Sequence, residues 1–236
     1  MSKSSRQLSA GTLDALKQFY NERDSREKAF EDLKAQVEAN FSEQQPLSMT
    51  AFAEDWNASQ FWYDDSTATE LARQLMDDAN PETRIAVVSA PSVFLQLKNL
   101  LTSEDEERRP KIVLFEFDER FAVFKEFMKY DFEHPTRLAI DLKGSFDRII
   151  CDPPFLSEDC QTKVALTARW LAKCWVSNNS FRMILCTGER MEPLIHRLYA
   201  KIGIHTTDFE VKHTKGLSNE FRCYSNFESS CWKFQQ

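Results

Sequence analysis

Four consecutive residues, Asp152-Pro153-Pro154-Phe155, have the side chains and backbone constraints best suited to chemistry in this chain of 236 residues. Neither proline has an N–H, both fix φ, and each forces the residue before it into an extended conformation. The carbonyls of Asp152 and Pro153 are therefore held stiffly outside any strand ladder, next to a carboxylate that accepts hydrogen bonds and donates none. Phe155 adds an aromatic face. Together these groups can hold an amino group by its hydrogens while the nitrogen lone pair attacks an electrophile.

The residues before this tetrad indicate where it lies. Residues 146–151 form a short apolar run that predicts a buried strand, and ligands in an open α/β sheet bind where strands leave the sheet at their carboxyl ends. The pattern of Asp or Asn, two prolines and an aromatic residue resembles the catalytic motif of the S-adenosylmethionine-dependent amino-methyltransferases. The alternative is a proline-rich turn that ends a strand and has no catalytic role. We expect Asp152, Pro153, Pro154 and Phe155 to be catalytic.

Composition and charge narrow the class of protein. The net charge is −7 at pH 7, whereas a protein that grips nucleic acid through its phosphates usually has a basic surface. The six cysteines are scattered without a Cys-x-x-Cys pair, which indicates reduced thiols in a cytoplasmic protein and no metal site. No apolar run reaches the roughly 18 residues that a membrane span needs, and residues 1–10 are too polar for a signal peptide. We therefore expect a cytoplasmic protein that neither crosses a membrane nor binds nucleic acid.

The amino-terminal residues differ from the rest of the chain in their charge pattern. Apolar residues recur at helical spacing in residues 8–41, charges of alternating sign fill residues 21–38, and Pro46 lies in a linker. The pattern predicts two amphipathic helices, the second largely exposed to solvent. Their charged face is either a solvated surface or a docking surface for a partner. We expect residues 1–50 to form a helical extension with a linker, and residues 51–236 to form one α/β domain.

An aromatic stretch, residues 56–63, precedes a helical pattern that runs through Leu71 and Leu75. Asp65 or Ser66 is predicted to cap the N-terminus of this helix. The aromatic side chains either pack the helix onto the sheet or form a lid, in which case the helix N-terminus receives a carboxylate such as that of a methionine group. On the second interpretation, the candidate cofactor contacts are Phe61, Trp62, Tyr63 and Thr67.

A β-branched run, residues 84–89, predicts a central strand. A nucleotide or S-adenosylmethionine site usually has a glycine-rich turn after such a strand, but this chain has Ser89, Ala90, Pro91 and Ser92 there. Ala90 is small enough for close backbone approach, and Pro91 suits the first turn of the helix that follows. We expect these four residues to contact the cofactor despite the missing glycines.

Acidic residues end the next two predicted strands. The second strand ends at Glu116, with Asp118 just beyond it, and a carboxylate in this place is the usual partner of ribose hydroxyls in nucleoside-binding α/β folds. A third strand, residues 127–132, ends in Asp131 and Phe132, which can bind the exocyclic amine and the face of an adenine. In each case the alternative is a charge that merely ends a strand.

The order of the remaining elements predicts the fold. Predicted helices at residues 156–175 and 191–202 flank a strand at residues 181–186, and strands at residues 205–211 and 221–227 follow. Seven strands in this order predict a Rossmann-like α/β fold. It has a mostly parallel seven-stranded sheet with helices on both faces and an antiparallel hairpin at the C-terminal end. This is the topology of the class I methyltransferases.

Six short motifs occur in an order that resembles one family in particular. They are QFWY at residues 60–63, VSAPS at 88–92, FEFDERF at 115–121, DPPFLSE at 152–158, LCTG at 185–188 and NEFRCY at 219–224. Together they look like the eukaryotic family once labelled N6-adenine DNA methyltransferases and now assigned as lysine methyltransferases of translation elongation factor 1-alpha. The resemblance covers roughly residues 56–227 and includes the Ser-Ala-Pro-Ser loop that lacks glycine.

This resemblance implies S-adenosyl-L-methionine as cofactor and translation elongation factor 1-alpha as the protein substrate of a protein-lysine N-methyltransferase; we expect a monomer. One rival interpretation is an N6-adenine methyltransferase that acts on DNA or RNA, with the target base flipped out and stacked on Phe155. Another is a non-catalytic binding module that has kept the fold. The acidic net charge weighs against the first rival, and the intact tetrad weighs against the second.

Overall fold

The computed structural model describes residues 10–42, 45–52, 61–177, 180–216 and 220–235, which divide into two compact units, Met1–Gln45 and Pro46–Gln236. In the first unit a single helix, α1, spans Ala10–Ser42. The prediction of two helices in this stretch was wrong. Residues 12–45 contain neither glycine nor proline, so nothing breaks the backbone hydrogen bonding between the two apolar patches.

The second unit is built on a seven-stranded sheet with the order β3-β2-β1-β4-β5-β7-β6. Its strands are β1 Arg84–Val88, β2 Lys111–Glu116, β3 Phe127–Lys129, β4 Arg148–Cys151, β5 Arg182–Gly188, β6 His205–Glu210 and β7 Phe221–Ser225. The first five strands pair in parallel, and β7 lies antiparallel between β5 and β6. This arrangement confirms the predicted class I methyltransferase topology with its C-terminal antiparallel hairpin.

In the described part of the second unit, four α-helices cover the two faces of this sheet: α2 Asp65–Met76, α3 Pro91–Thr102, α4 Glu158–Leu171 and α5 Glu192–Leu198. Ala86 and Val88 of β1 belong to a core cluster that includes Val164 of α4 and Ile195 of α5. Side chains alternate along a strand, so the equally buried residues between them face the other side. There α3 contacts β1 and β2, and α2 packs on α3. Among the described residues, no helix is both apolar and long enough to cross a membrane.

Strand β3 is three residues shorter than predicted. The N–H of Tyr130 still donates to the carbonyl of Glu116 (2.9 Å), but the chain turns immediately afterwards. Asp131 closes this turn, since its carboxylate accepts the N–H of Glu133 (3.0 Å) and its carbonyl accepts the N–H of His134 (2.9 Å). An aspartate that bonds the backbone two residues ahead competes with a strand ladder, and Asp131 and Phe132 therefore lie in a turn.

Helices α4 and α5 are also shorter than the predicted ranges. After α4, Ala172 pairs with Phe146, and the carbonyl of Leu171 accepts the N–H groups of Ser145 (3.0 Å) and Phe146 (3.1 Å). The end of α4 and Ala172 therefore bond to residues 145–146, which lead into β4, and the helix does not continue. The helix predicted to end before Gly203 consists of α5 with one 3₁₀ turn on each side. Gly203 ends it with φ 70°, as its type predicted.

Candidate active site

A cleft of about 530 Å³ opens at the carboxyl ends of β1, β2, β3 and β4. Strands β1 and β4 are adjacent and parallel, but the strands that follow them in the chain lie on opposite sides: β2 lies beside β1, and β5 lies beside β4. Such a switch point is where α/β folds bind ligands. The lining residues are Phe61, Trp62, Ser89, Pro91, Ser92, Glu116, Phe117, Tyr130, Asp131, Phe132, Glu133, Asp152, Pro153, Pro154, Phe155, His213 and Phe221. The cleft thus brings together all predicted site residues except Tyr63, Thr67, Ala90 and Asp118.

The Asp-Pro-Pro-Phe tetrad lies directly on this cleft. The N–H of Asp152 donates to the carbonyl of Val88 (3.0 Å), which ties the end of β4 to the end of β1. Pro153 is buried, whereas the Phe155 side chain is 41% exposed. Behind it, Gln161 of α4 donates its amide to the carbonyl of Phe155 (3.1 Å) and to Thr187 Oγ1 (2.9 Å). The tetrad is therefore a braced corner with an open aromatic face.

Asp152 lies deep in the cleft, although part of the residue remains accessible to solvent. Burial raises the pKa of its carboxyl to about 8, from an ordinary value of 3.8. The neighbouring Tyr63 hydroxyl acts to lower this pKa, and the carboxyl of Glu116 acts to raise it further. Removing a charge from water destabilises it, and carboxyls perturbed in this way are typical of functional sites.

Glu116 is the second buried carboxyl of the cleft, with 8% of the residue exposed. Its Oε1 accepts the N–H groups of Phe117 (2.7 Å) and Asp118 (3.0 Å). Burial raises its pKa to about 7, and these two hydrogen bonds oppose the shift. Since one oxygen is satisfied by the backbone, the other is available to a ligand hydroxyl. The second ribose candidate, Asp118, is instead held by the Arg120 guanidinium (2.6 Å) and does not line the cleft.

The loop after β1 takes an unusual backbone conformation in place of the expected glycine turn. Ser89 has φ 55°, a left-handed conformation that glycine adopts without strain and serine seldom adopts. Its N–H donates to the carbonyl of Phe115 (2.9 Å). Ala90 is buried beneath the loop and its carbonyl accepts the N–H groups of Val93 (3.1 Å) and Phe94 (3.2 Å), which start α3. Ser89 thus adopts the left-handed conformation that a glycine would usually adopt in this turn.

Residues 56–60 of the aromatic stretch lie outside the described residues. Residues 61–63 form with Asp64 a strap, residues 61–64, that is paired with the loop between β6 and β7. Tyr63 bridges to His213 in antiparallel pairing, and the N–H of Thr214 donates to the carbonyl of Trp62 (2.9 Å). Phe61 and Trp62 line the cleft, whereas Tyr63 is buried behind it. The strap therefore contributes Tyr63 to the core and Phe61 and Trp62 to the wall of the cleft.

The N-terminus of α2 is capped differently from the prediction. Asp64, rather than Asp65 or Ser66, accepts the N–H of Thr67 (2.7 Å). The strap holds Asp64 in the required extended conformation, because its N–H donates to the carbonyl of Lys212 (3.0 Å). Thr67 Oγ1 in turn accepts the N–H of Lys212 (3.2 Å). The chain's own carboxylate thus occupies the place at which a ligand carboxylate was expected.

Five lining residues were not predicted: Phe117, Tyr130, Glu133, His213 and Phe221. His213 and Phe221 come from opposite ends of the β6–β7 connection, and their rings meet edge to face at 4.8 Å. His213 lies in no motif, and Phe221, although it belongs to the NEFRCY motif, reaches the cleft only through tertiary packing. Phe117 could have been found from the sequence, because it stands between the two ribose candidates Glu116 and Asp118; its exposed fraction is 61%. Among the described residues no cluster of His, Cys, Asp or Glu is arranged to hold a metal ion.

Comparison with known proteins places the chain in a family. The family model described as "Probable N6-adenine methyltransferase" matches residues 54–229. Protein-lysine N-methyltransferase EFM5 of Saccharomyces cerevisiae is 42% identical over 241 residues, 96% of this chain and 94% of that protein. EEF1A lysine methyltransferase 1 of Mus musculus is 37% identical over 94% of this chain and 92% of that protein.

A solved structure described as a class I S-adenosylmethionine-dependent methyltransferase of Listeria monocytogenes covers 85% of this chain and 69% of that chain. It is 9% identical, with a TM-score of 0.44. The strand order, and not this weak likeness, assigns the fold. The chain therefore belongs to this methyltransferase family, together with EFM5 and EEF1A lysine methyltransferase 1.

Proposed function

We propose that this protein transfers methyl groups from S-adenosylmethionine to the ε-amino group of a lysine in translation elongation factor 1-alpha. The observation that carries the proposal is the braced Asp-Pro-Pro-Phe corner, open to a cleft beside β1 and β4. It is supported by relatives named protein-lysine N-methyltransferases and EEF1A lysine methyltransferases, which match almost the whole chain. In this proposal the enzyme acts as a cytoplasmic monomer, in keeping with its six free cysteines.

The cleft suits S-adenosylmethionine in size and in chemistry. A volume of about 530 Å³ is within the range of small-ligand sites. Glu116 would accept hydrogen bonds from ribose hydroxyls, and Asp131 and Phe132 would contact the adenine. Ser89 and Ser92 line the cleft beside them. The cofactor, when bound, supplies an electrophilic methyl group on a positively charged sulfur.

The tetrad would prepare the lysine amine for attack. A free lysine has a pKa of about 10.4, so presenting its neutral form at pH 7 costs roughly 4.6 kcal/mol. Burial in an aromatic cleft reduces this cost, because desolvation disfavours the ammonium. The Asp152 carboxylate and the Pro153 carbonyl would then accept the two N–H hydrogens and direct the lone pair into the cleft. Phe155 would pack against the aliphatic stem of the lysine, and proximity supplies much of the remaining acceleration.

Methyl-labelled cofactor tests the proposal directly. Purified enzyme should label recombinant elongation factor 1-alpha and leave DNA and RNA unlabelled. Asp152→Ala should reduce this labelling at least about a hundredfold, because the amine loses its charged acceptor. Calorimetry with S-adenosylhomocysteine checks that the variant still binds the cofactor site. Label in nucleic acid would establish the adenine-methylating rival, and near-normal labelling by the variant would exclude Asp152 from catalysis.

A further inference from the structure

The Tyr63 hydroxyl is a buried polar group that the cofactor interpretation does not explain. The residue is 2% exposed, and its hydroxyl makes no hydrogen bond of ordinary geometry with any described residue. The polar groups beside it are the carboxyl of Asp152 and the thiol of Cys186. A buried hydroxyl without a partner destabilises the fold. A hydroxyl in this position can act on the carboxyl of the reacting corner.

The strap fixes Tyr63 behind the cleft. Its backbone bridges to His213, and its carbonyl accepts the Thr214 hydroxyl (3.2 Å). On the next residue, the N–H of Asp64 donates to the carbonyl of Lys212 (3.0 Å). The Tyr63 ring lies 5.1 Å from the His213 ring. Because the loop between β6 and β7 holds the backbone of residues 63 and 64, the Tyr63 side chain is fixed outside the residues that line the cleft.

The groups that face Asp152 come from several strands. Glu116 of β2 is a second acid that opposes a charge on Asp152. Cys186 of β5 and Cys151 of β4 contribute buried thiols, and thiols are weak donors. The Tyr63 hydroxyl is the strong donor of this set. A donor aimed at one carboxylate oxygen leaves the other oxygen for the substrate amine.

We propose that the Tyr63 hydroxyl donates a hydrogen bond to the Asp152 carboxylate and orients it toward the cleft, which makes Tyr63 a positioning residue for methyl transfer. The inference rests on the proposed function of the same site. Tyr63 does not touch substrate or cofactor; it acts through Asp152. Its effect should therefore appear in the pH dependence of the reaction and not in cofactor affinity.

The direction of the effect follows from which form of Asp152 the hydrogen bond favours. A donor stabilises the carboxylate and lowers its pKa, so Tyr63→Phe should raise the pKa of Asp152 above its present value of about 8. A rise of about one unit reduces the ionised fraction near pH 7 about tenfold. We expect kcat for the lysine substrate to fall about tenfold near neutral pH. The ratio of variant to wild-type activity should climb toward one above about pH 9, with an unchanged KM for the cofactor.

The titration of Asp152 can be measured without any substrate. Carbon-13 NMR of the aspartate carboxyls in the ligand-free protein should show the Asp152 signal, assigned by its loss in Asp152→Asn, titrating higher in Tyr63→Phe than in the wild type. Tyr199→Phe is the matched control, since Tyr199 is also fully buried with an unbonded hydroxyl, but it does not line the cleft and is not among the groups that act on the Asp152 carboxyl. It should leave both the titration and the pH profile unchanged.

Two results would overturn the inference: an Asp152 titration that is the same in Tyr63→Phe and wild type, or a ratio of activities that does not change with pH. A wild-type enzyme that fails to methylate the elongation factor would instead overturn the proposed function, and the NMR result would still decide the Tyr63 contact.

Discussion

At the scale of single residues, the cleft contains two carboxyls that folding makes harder to ionise. Burial raises the pKa of Glu116 to about 7 and that of Asp152 to about 8. Each folded-state pKa lies above its ordinary value, so the native state binds more protons than the unfolded state between about pH 4 and pH 8. These two groups therefore lower the free energy of unfolding as the pH rises through that window. The site is built at a cost to the stability of the ligand-free protein.

Glu116→Gln should recover the free energy of unfolding that the wild type loses when Glu116 ionises. The amide oxygen can still accept the N–H groups of Phe117 and Asp118, while the buried charge is removed. We expect the ligand-free variant to be more stable than wild type by on the order of 2 kcal/mol near pH 8, and equally stable near pH 5. Urea unfolding at both pH values measures the difference. Glu82→Gln, at an exposed position, serves as the control and should not change the pH dependence.

The same variant should bind the cofactor about tenfold or more weakly, since a hydrogen bond to a charged acceptor is worth roughly 1.5–3 kcal/mol. A variant that is no more stable than wild type near pH 8 would contradict the burial of a charged Glu116. Unchanged cofactor affinity would contradict its proposed role as the ribose acceptor.

At the scale of elements, the turn from β1 to α3 concentrates backbone strain at the cleft. Ser89 has φ 55°, and strain of this kind persists where surrounding structure enforces it, often at ligand sites. The hydrogen bond from its N–H to Phe115 and the start of α3 at Pro91 supply that enforcement. The loop thus has the backbone geometry of a glycine turn without a glycine, because the contacts around Ser89 hold it in that conformation.

Substitutions at Ser89 should follow the preference for left-handed backbone. Ser89→Gly should raise the free energy of unfolding by up to about 1 kcal/mol, whereas Ser89→Val should lower it by about 2 kcal/mol, because a β-branched residue fits this conformation poorly. Denaturant midpoints measure both changes. Asp78→Gly, at the other non-glycine residue with positive φ in the described part of the chain (φ 56°), is the control away from the cleft. A valine variant as stable as wild type would mean that the turn is not strained.

At the scale of the whole molecule, the residues that line the cleft all lie within the second compact unit, Pro46–Gln236. That unit contains the complete sheet and helices α2 to α5. The first unit contributes α1, a helix of 33 residues with exposed aromatic side chains at Phe19 and Tyr20. We therefore expect the second unit by itself to bind the cofactor.

Residues 46–236 expressed alone should unfold in one cooperative transition and bind S-adenosylhomocysteine within about threefold of the full chain. Calorimetry and thermal unfolding test this expectation. Methylation of the elongation factor by the fragment, compared with the full chain, measures what α1 contributes to substrate docking. A fragment that does not fold, or that has lost cofactor affinity, would show that the first unit belongs to the catalytic domain.

Local signals in the sequence were sufficient for the fold and for most of the site. Periodicity predicted all seven strands, and five of them, β1, β2, β4, β5 and β7, bury apolar residues on both faces. The types of residue at strand ends marked Ser89, Glu116 and Asp152. The order of the motifs indicates the same family as the matching model and the relatives. The sequence by itself therefore determined the features that adjacent residues encode, namely the strands, the strand ends and the stiff Asp-Pro-Pro-Phe corner.

The tertiary structure decided the relations between distant residues. Only packing brings His213 and Phe221 to the cleft and sets Tyr63 behind Asp152. It also moves the cap of α2 to Asp64, because a carbonyl from Lys212 holds that residue extended. These contacts join residues that are far apart in the chain, so no local pattern records them. The same holds for the raised pKa of Asp152, since desolvation depends on what surrounds a group and not on its neighbours in the chain.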